Sequence, residues 1–130
     1  MSHDKTVPRP TQAETAILQV LWQRGPSTVR DVFEVLKAER STGYTTVLKL
    51  LQIMHEKGLV RRDASRRSHR YEAVATQRHT QQQLVKDLLE RAFGGSMQKL
   101  VMHALTARKA SRKDLAEIRS LLDELDGGAS

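Results

Sequence analysis

The 130-residue sequence has no cysteine, which excludes disulfides, thiolate metal sites and thiol nucleophiles and suits a reducing cytoplasm. It also lacks any apolar run long enough for a membrane span or a secretory signal, so the expectation is a soluble, cytoplasmic chain without stable membrane insertion. Catalytic patterns are missing too. His55-Glu56-Lys57-Gly58-Leu59 begins like the H-E-x-x-H zinc motif but ends in Leu59, so the second ligand on that helix face is absent. Gly94-Gly95 lacks the G-K-[ST] ending and the preceding strand of a phosphate loop. His3, His55, His69, His79 and His103 are scattered, each read as a surface or wing residue. No catalytic residue, metal site or cofactor is assigned, and the length rules out a large enzymatic architecture.

What the chain does have is concentrated positive charge. The net charge is +7, and the stretch from Ser41 to Arg70 carries +5 of it: Lys49, Lys57, Arg61, Arg62, Arg66, Arg67 and Arg70 against Glu56 and Asp63. A cationic surface gathered in one stretch is the footprint of a protein that faces phosphates.

The same stretch reads as a helix followed by a hairpin. Ser41 and Thr42 are cap-type residues, Gly58 offers a left-handed stop, and Val47, Leu50, Leu51 and Met54 recur at helical spacing between them. Tyr44, Thr45, Leu48, Lys49 and Gln52 fall away from that apolar face, leaving a polar, basic outward face. Leu59 to Arg62 and His69 to Val74 then read as two short strands with Arg66 and Arg67 at the tip between them. Upstream, Thr11-Gln12-Ala13-Glu14 is a capping box. It opens a helix striped by Ala13, Ile17, Leu18, Leu21 and Trp22, which should end at Arg24 before Gly25-Pro26. A lone Trp on such a stripe reads as core, with ligand stacking the alternative. Thr28 caps a second helix with Val29, Val32, Phe33 and Leu36 at helical spacing. Three helices with one apolar stripe each can bury them only against one another, and a following hairpin completes a winged helix-turn-helix. Met1 to Pro10 reads as a flexible arm, with Lys5 and Arg9 within reach of DNA.

Residues 76–130 read as a helical appendage. Leu84, Val85, Leu88, Leu89, Ala92 and Phe93 form one stripe, Gly94-Gly95 interrupts it, and Met97, Leu100, Val101, Ala104 and Leu105 form the next. Ser111 caps a last helix bearing Leu115, Ile118, Leu121, Leu122 and Leu125, with Gly127-Gly128 fraying its end. So short a helical segment buries little alone, which points to a second copy as its partner, the alternative being a dock onto the winged helix. The expected dimerisation residues are Leu84, Leu88, Phe93, Met97, Leu100, Val101, Leu105, Leu115, Ile118, Leu122 and Leu125. The expected architecture is mainly α. It comprises an arm at 1–10, a winged helix-turn-helix with a small β-hairpin wing at 11–75, and a helical dimerisation region at 76–130.

Several motifs, in this order and spacing, resemble the BlaI/MecI penicillinase-repressor family: A-E-x-x-I-L-x-x-L-W from Ala13, T-V-R-D-V from Thr28, Y-T-T-V-L-K-L-L from Tyr44, K-G-L-V-R-R from Lys57 and H-R-Y from His69. The resemblance continues through Phe93-Gly94-Gly95-Ser96-Met97-Gln98-Lys99-Leu100-Val101. It implies a homodimeric transcriptional repressor whose third helix enters the major groove of double-stranded operator DNA. It also implies release by cleavage triggered by a membrane sensor metalloprotease. Aligned on Phe93 to Met97, the family's Asn-Phe scissile pair falls on His103-Ala104, where this sequence departs at both positions. Copper-sensing relatives carry C-terminal cysteines, which this chain lacks.

The residues expected to contact DNA are Thr42, Tyr44, Thr45, Thr46, Leu48, Lys49, Gln52, Arg66 and Arg67. Thr45 and Thr46 are short donors near a helix N-terminus, where a phosphate is favoured, and Lys49 and Gln52 are long enough to reach base edges. Tyr44 stacks on a sugar or donates to a phosphate, and Leu48 touches a thymine methyl or is an ordinary exposed leucine. Arg66 and Arg67 grip phosphate or enter the minor groove, unless they form only a solvated turn. Two other functions compete with the repressor: a winged-helix regulator released by a small effector, and a nucleic-acid-binding protein without base readout.

Overall fold

A computed structural model describes residues 9–128. The arm at 1–10 lies outside them except for Arg9 and Pro10, and so does the expectation that Lys5 touches DNA. The first helix, α1, runs Gln12–Arg24. Its capping box is closed in both directions: the Thr11 N–H donates to Glu14 Oε1 at 2.9 Å and the Glu14 N–H donates to Thr11 Oγ1 at 3.1 Å. Gly25 ends the helix at φ 84°, a conformation open to glycine. The second helix, α2, spans Val29–Arg40 and repeats the device with Thr28 and Asp31, at 3.0 Å each way.

The third helix, α3, spans Tyr44–Lys57, and here the expected cap is corrected. Neither Ser41 nor Thr42 caps it. Ser41 closes α2 in the left-handed region at φ 50°, the Thr42 hydroxyl donates back to the Arg40 carbonyl at 3.3 Å, and Gly43 is the N-cap with no side-chain hydrogen bond. The physical reason is the short connection. Reversing the chain within three residues takes Ser41 into the turn and shifts the helix start past both hydroxyls.

Strands β1 (Val60–Asp63) and β2 (Arg70–Ala73) pair antiparallel, with Val60 opposite Ala73 and Arg62 opposite Tyr71. Ser27 bridges to Tyr71, its N–H donating at 2.9 Å and its carbonyl accepting at 2.7 Å. The base of the hairpin is therefore held on both sides. Val60 and Tyr71 are buried in the core with Ile17, Leu21, Val32, Leu36, Val47, Leu51 and Met54, while residues 61–69 are exposed. Trp22 is half-buried against this core and donates from Nε1 to the Ala75 carbonyl at 3.0 Å, which supports the core role over ligand stacking.

The remaining helices are α4 (Gln77–Arg91), α5 (Met97–Ala107) and α6 (Arg112–Gly128). The chain divides into two compact units between Leu84 and Val85, so the opening turns of α4, with buried Thr80, belong to the winged-helix unit. After α4, Gly94 and Gly95 turn the chain at φ 56° and 84°, and the Gly95 N–H donates to the Leu89 carbonyl at 2.8 Å. Ser96 caps α5 and Ser111 caps the start of α6. Gly127 and Gly128 lie within the last turn of α6 rather than ending it earlier. Glycine weakens a helix terminus without removing its backbone bonds.

Candidate nucleic-acid interface

Helix α3 is set against the fold on one face and left open on the other. Val47, Leu51 and Met54 are fully buried, Leu50 is half-buried, and Thr45, Thr46, Lys49 and Gln52 are exposed together on the opposite side. Its C-terminal end is fixed by an ion pair. Lys57 Nζ donates to both oxygens of Glu14, at 2.8 and 3.1 Å, and the Glu14 side chain is only 2% exposed. Burial pushes the Glu14 carboxyl up, but the bonds from Lys57 and the Thr11 backbone outweigh it and hold the group below its usual range. Glu14 thus joins the cap of α1 to the end of α3. Lys57 is thereby engaged with a buried carboxylate.

Tyr44 opens α3 and is 39% exposed. Its ring meets Phe33 of α2 edge to face, with centroids 5.7 Å apart and planes at 74°. The Arg30 guanidinium lies 5.0 Å from the Tyr44 centroid and 5.8 Å from that of Phe33, within cation–π range of both. Lys37 Nζ approaches Phe33 at 5.5 Å and pairs with Glu34 at 2.7 Å, whereas Arg30 reaches Glu34 only at 3.5 Å. The Lys37 bond is the main reason the Glu34 carboxyl sits below its usual range.

A cleft of about 250 Å³ separates α3 from the wing, lined by Thr28, Val29, Arg30, Tyr44, Leu48, Arg67, Ser68, His69 and Tyr71. This divides the two wing arginines. Arg67 shares the cleft with Tyr44 and Leu48, while Arg66 lies beside Asp63, whose carboxyl is held low chiefly by Ser65, with Arg66 and Arg70 adding to the effect. The Ser65 N–H donates to Asp63 Oδ1 at 2.9 Å and shapes the turn.

Of the residues expected at the interface, Thr45, Thr46, Lys49 and Gln52 lie on the open face of α3, whereas Tyr44, expected to fall away from the apolar face, packs on Phe33 at its edge and lines the cleft with Arg67. Leu48 is half-buried against the core and on the cleft wall, so it is not a freely exposed leucine. Thr42 is half-buried in the link before α3 and bonded to its own chain. Arg30 and Lys37 carry no expectation from the sequence, and Phe33 only that of a stripe residue in α2. The available signal was their i, i+3 and i, i+4 spacing along α2.

In the second unit, no described residue from Val85 to Gly127 is buried. Met97, Val101, Met102, Leu122 and Leu125 are 44 to 65% exposed, and Phe93, Leu100, Leu105, Leu115 and Ile118 are half-buried. Leu88 is exposed at 45%, and Leu84, also expected at the dimer surface, falls on the winged-helix side of the division. His103 and Ala104 are exposed in the middle of α5, with the His103 ring 5.7 Å from Phe93. No group of three or more metal-ligating side chains occurs among the described residues, and no helix there is long and apolar enough to cross a membrane.

The model of the penicillinase repressor family matches residues 10–124. The transcriptional regulator BlaI of Mycobacterium tuberculosis is 36% identical, over 88% of this chain and 83% of its own length. The penicillinase repressor of Staphylococcus aureus is 17% identical over 88% of this chain and 91% of its own. Among solved structures, the monomeric form of Bacillus licheniformis BlaI in complex with the blaP half-operator superposes with a TM-score of 0.50. That match is 18% identical and covers 55% of this chain and 88% of that one, a likeness of fold. The family match spans both units, and the winged helix is the fold of the BlaI DNA-binding domain: this chain belongs to the penicillinase repressor family of transcriptional regulators.

Proposed function

We propose that the protein is a cytoplasmic homodimeric repressor that reads a pseudopalindromic operator with α3 and occupies promoter DNA. The observation that carries this reading is the two-sided character of α3: one face fully buried, the other presenting Thr45, Thr46, Lys49 and Gln52 beside an arginine-lined cleft. Lys49 and Gln52 are the base-edge readers. Thr45 and Thr46 sit at an N-terminus whose Gly43 cap leaves the first N–H groups without a side-chain acceptor, which favours a phosphate there. Arg67 takes a further phosphate, with Arg66 the weaker contact. The exposed apolar faces of α4 beyond Leu84, α5 and α6 form the dimer surface, and two-fold symmetry spaces two α3 helices by about 34 Å or a multiple of it.

Release follows from cutting α5 between His103 and Ala104 by a protease under a membrane sensor, which separates α6 from the rest of its unit. Dimer avidity then disappears. Both residues lie inside α5, on the helix assigned to the dimer surface, so cutting that bond requires local opening of the helix. Mass spectrometry of repressor from induced cells tests the route: a severed α5 is expected, and an intact chain under full derepression assigns release to a small effector instead. Footprinting on genomic fragments tests the binding mode. A discrete protected inverted repeat is expected, and uniform coating of every fragment would refute base readout.

A further inference from the structure

We infer that Arg30 is a DNA phosphate contact held in position by Tyr44, and that the cleft between α2, α3 and the wing receives one phosphodiester of the operator backbone. The inference rests on α3 being the reading helix. The guanidinium lies over the Tyr44 ring at 5.0 Å and near the Phe33 ring at 5.8 Å, so its orientation is set by two aromatic faces that themselves meet edge to face. Glu34 is shared: its Oε1 pairs with Lys37 at 2.7 Å and its Oε2 with one terminal nitrogen of Arg30 at 3.5 Å, which engages a single edge of the guanidinium. An arginine arranged in this way retains donors for a second anion, because cation–π contact uses the guanidinium face and leaves its in-plane N–H groups free to point outward.

The cleft fits that anion. Arg30 lies on one wall and Arg67 and His69 on the other, no acidic residue among the described ones lines it, and its volume of about 250 Å³ admits a phosphodiester group. The Arg30 side chain is 64% exposed, so the contact forms without repacking the core. In this arrangement the Tyr44 ring is a platform rather than a hydroxyl donor, and its role passes through Arg30.

Titration of full-length protein against one operator at several salt concentrations tests this. Arg30→Gln should lower the slope of log affinity against log salt by about 0.9 per protomer, and reduce affinity at 0.1 M salt by about eightfold for each phosphate that is no longer neutralised. Lys86→Gln, an equal loss of charge on exposed α4, should leave the slope unchanged. Tyr44→Phe keeps the ring and should retain the wild-type slope, while Tyr44→Ala should reproduce the effect of Arg30→Gln. An unchanged slope for Arg30→Gln, with Lys49→Ala and Gln52→Ala both losing operator preference, overturns the inference and leaves the α3 reading standing. If those two variants also bind as wild type, the α3 reading falls and takes the inference with it. A slope lowered by Tyr44→Phe would show that the hydroxyl itself makes the contact and would remove the platform role.

Discussion

The two units of this chain solve the burial problem in opposite ways. The winged-helix unit encloses Ile17, Val32, Val47, Leu51 and Met54 at 0% exposure, whereas the described residues beyond Leu84 include none that is buried. Both carry helices with apolar stripes, so amphipathicity alone does not decide whether a segment has a core. The difference lies in closure. Three helices and a hairpin held by Ser27 and Tyr71 converge on one centre, while α5 and α6 leave Val101, Leu122 and Leu125 facing outward. The homodimer proposed above would cover this stripe.

Breaking the open unit should have the largest functional effect. Val101→Asp with Leu122→Asp puts charges on the exposed stripe and should yield a monomer by sedimentation. Operator affinity should fall about 10²- to 10⁴-fold as the two half-sites cease to share one binding event. The winged-helix unit should keep its fold. Breaking the closed unit should instead cost stability: Leu51→Ala deletes a fully buried side chain and should lower the unfolding free energy by about 2 to 5 kcal/mol in denaturant. Leu125→Ala, on a side chain 64% exposed, should cost far less at concentrations where the protein is monomeric.

Within the closed unit, smaller effects are expected on the exposed face of α3, which the core does not need for folding. Lys49→Ala and Gln52→Ala should each reduce specific binding by about 1 to 3 kcal/mol, measured as the affinity ratio between operator and scrambled duplex, with melting temperature nearly unchanged. A further effect concerns Glu14 and Lys57. Because the folded carboxyl lies below its ordinary value of 4.5, it contributes stability that is fully present above that value and is lost as pH falls through the folded value. Glu14→Gln keeps a capping side chain and removes the charge. Its stability should be about 1 to 2 kcal/mol lower at neutral pH and less dependent on pH below 4.5 than the wild type, as read from denaturant midpoints.

Much of the closed unit is legible in the sequence because its signals are local. The Thr11/Glu14 box, the Thr28 cap, Gly58 and the spacing of Val47, Leu51 and Met54 each specify backbone geometry within a few residues, and each is present. The start of α3 is not legible in the same way, because two hydroxyl residues precede Gly43 and nothing local says which of them the turn consumes. The pairing of Glu14 with Lys57, the different placements of Arg66 and Arg67, and the Arg30, Phe33 and Tyr44 stack depend on which elements meet, and spacing within one helix does not carry that. Both wing arginines look alike in sequence. Only the path of the turn, bent by Asp63 and Ser65, brings Arg67 to the cleft.

Selection of bound duplexes from a random-sequence pool with the intact protein decides whether α3 reads sequence. An inverted repeat whose half-sites lie about one helical turn or a multiple of it apart is expected. A Lys49→Ala, Gln52→Ala double variant should fail to enrich that repeat. Enrichment of no shared sequence, or of the same repeat by the double variant, would contradict the assignment of α3 as the reading helix.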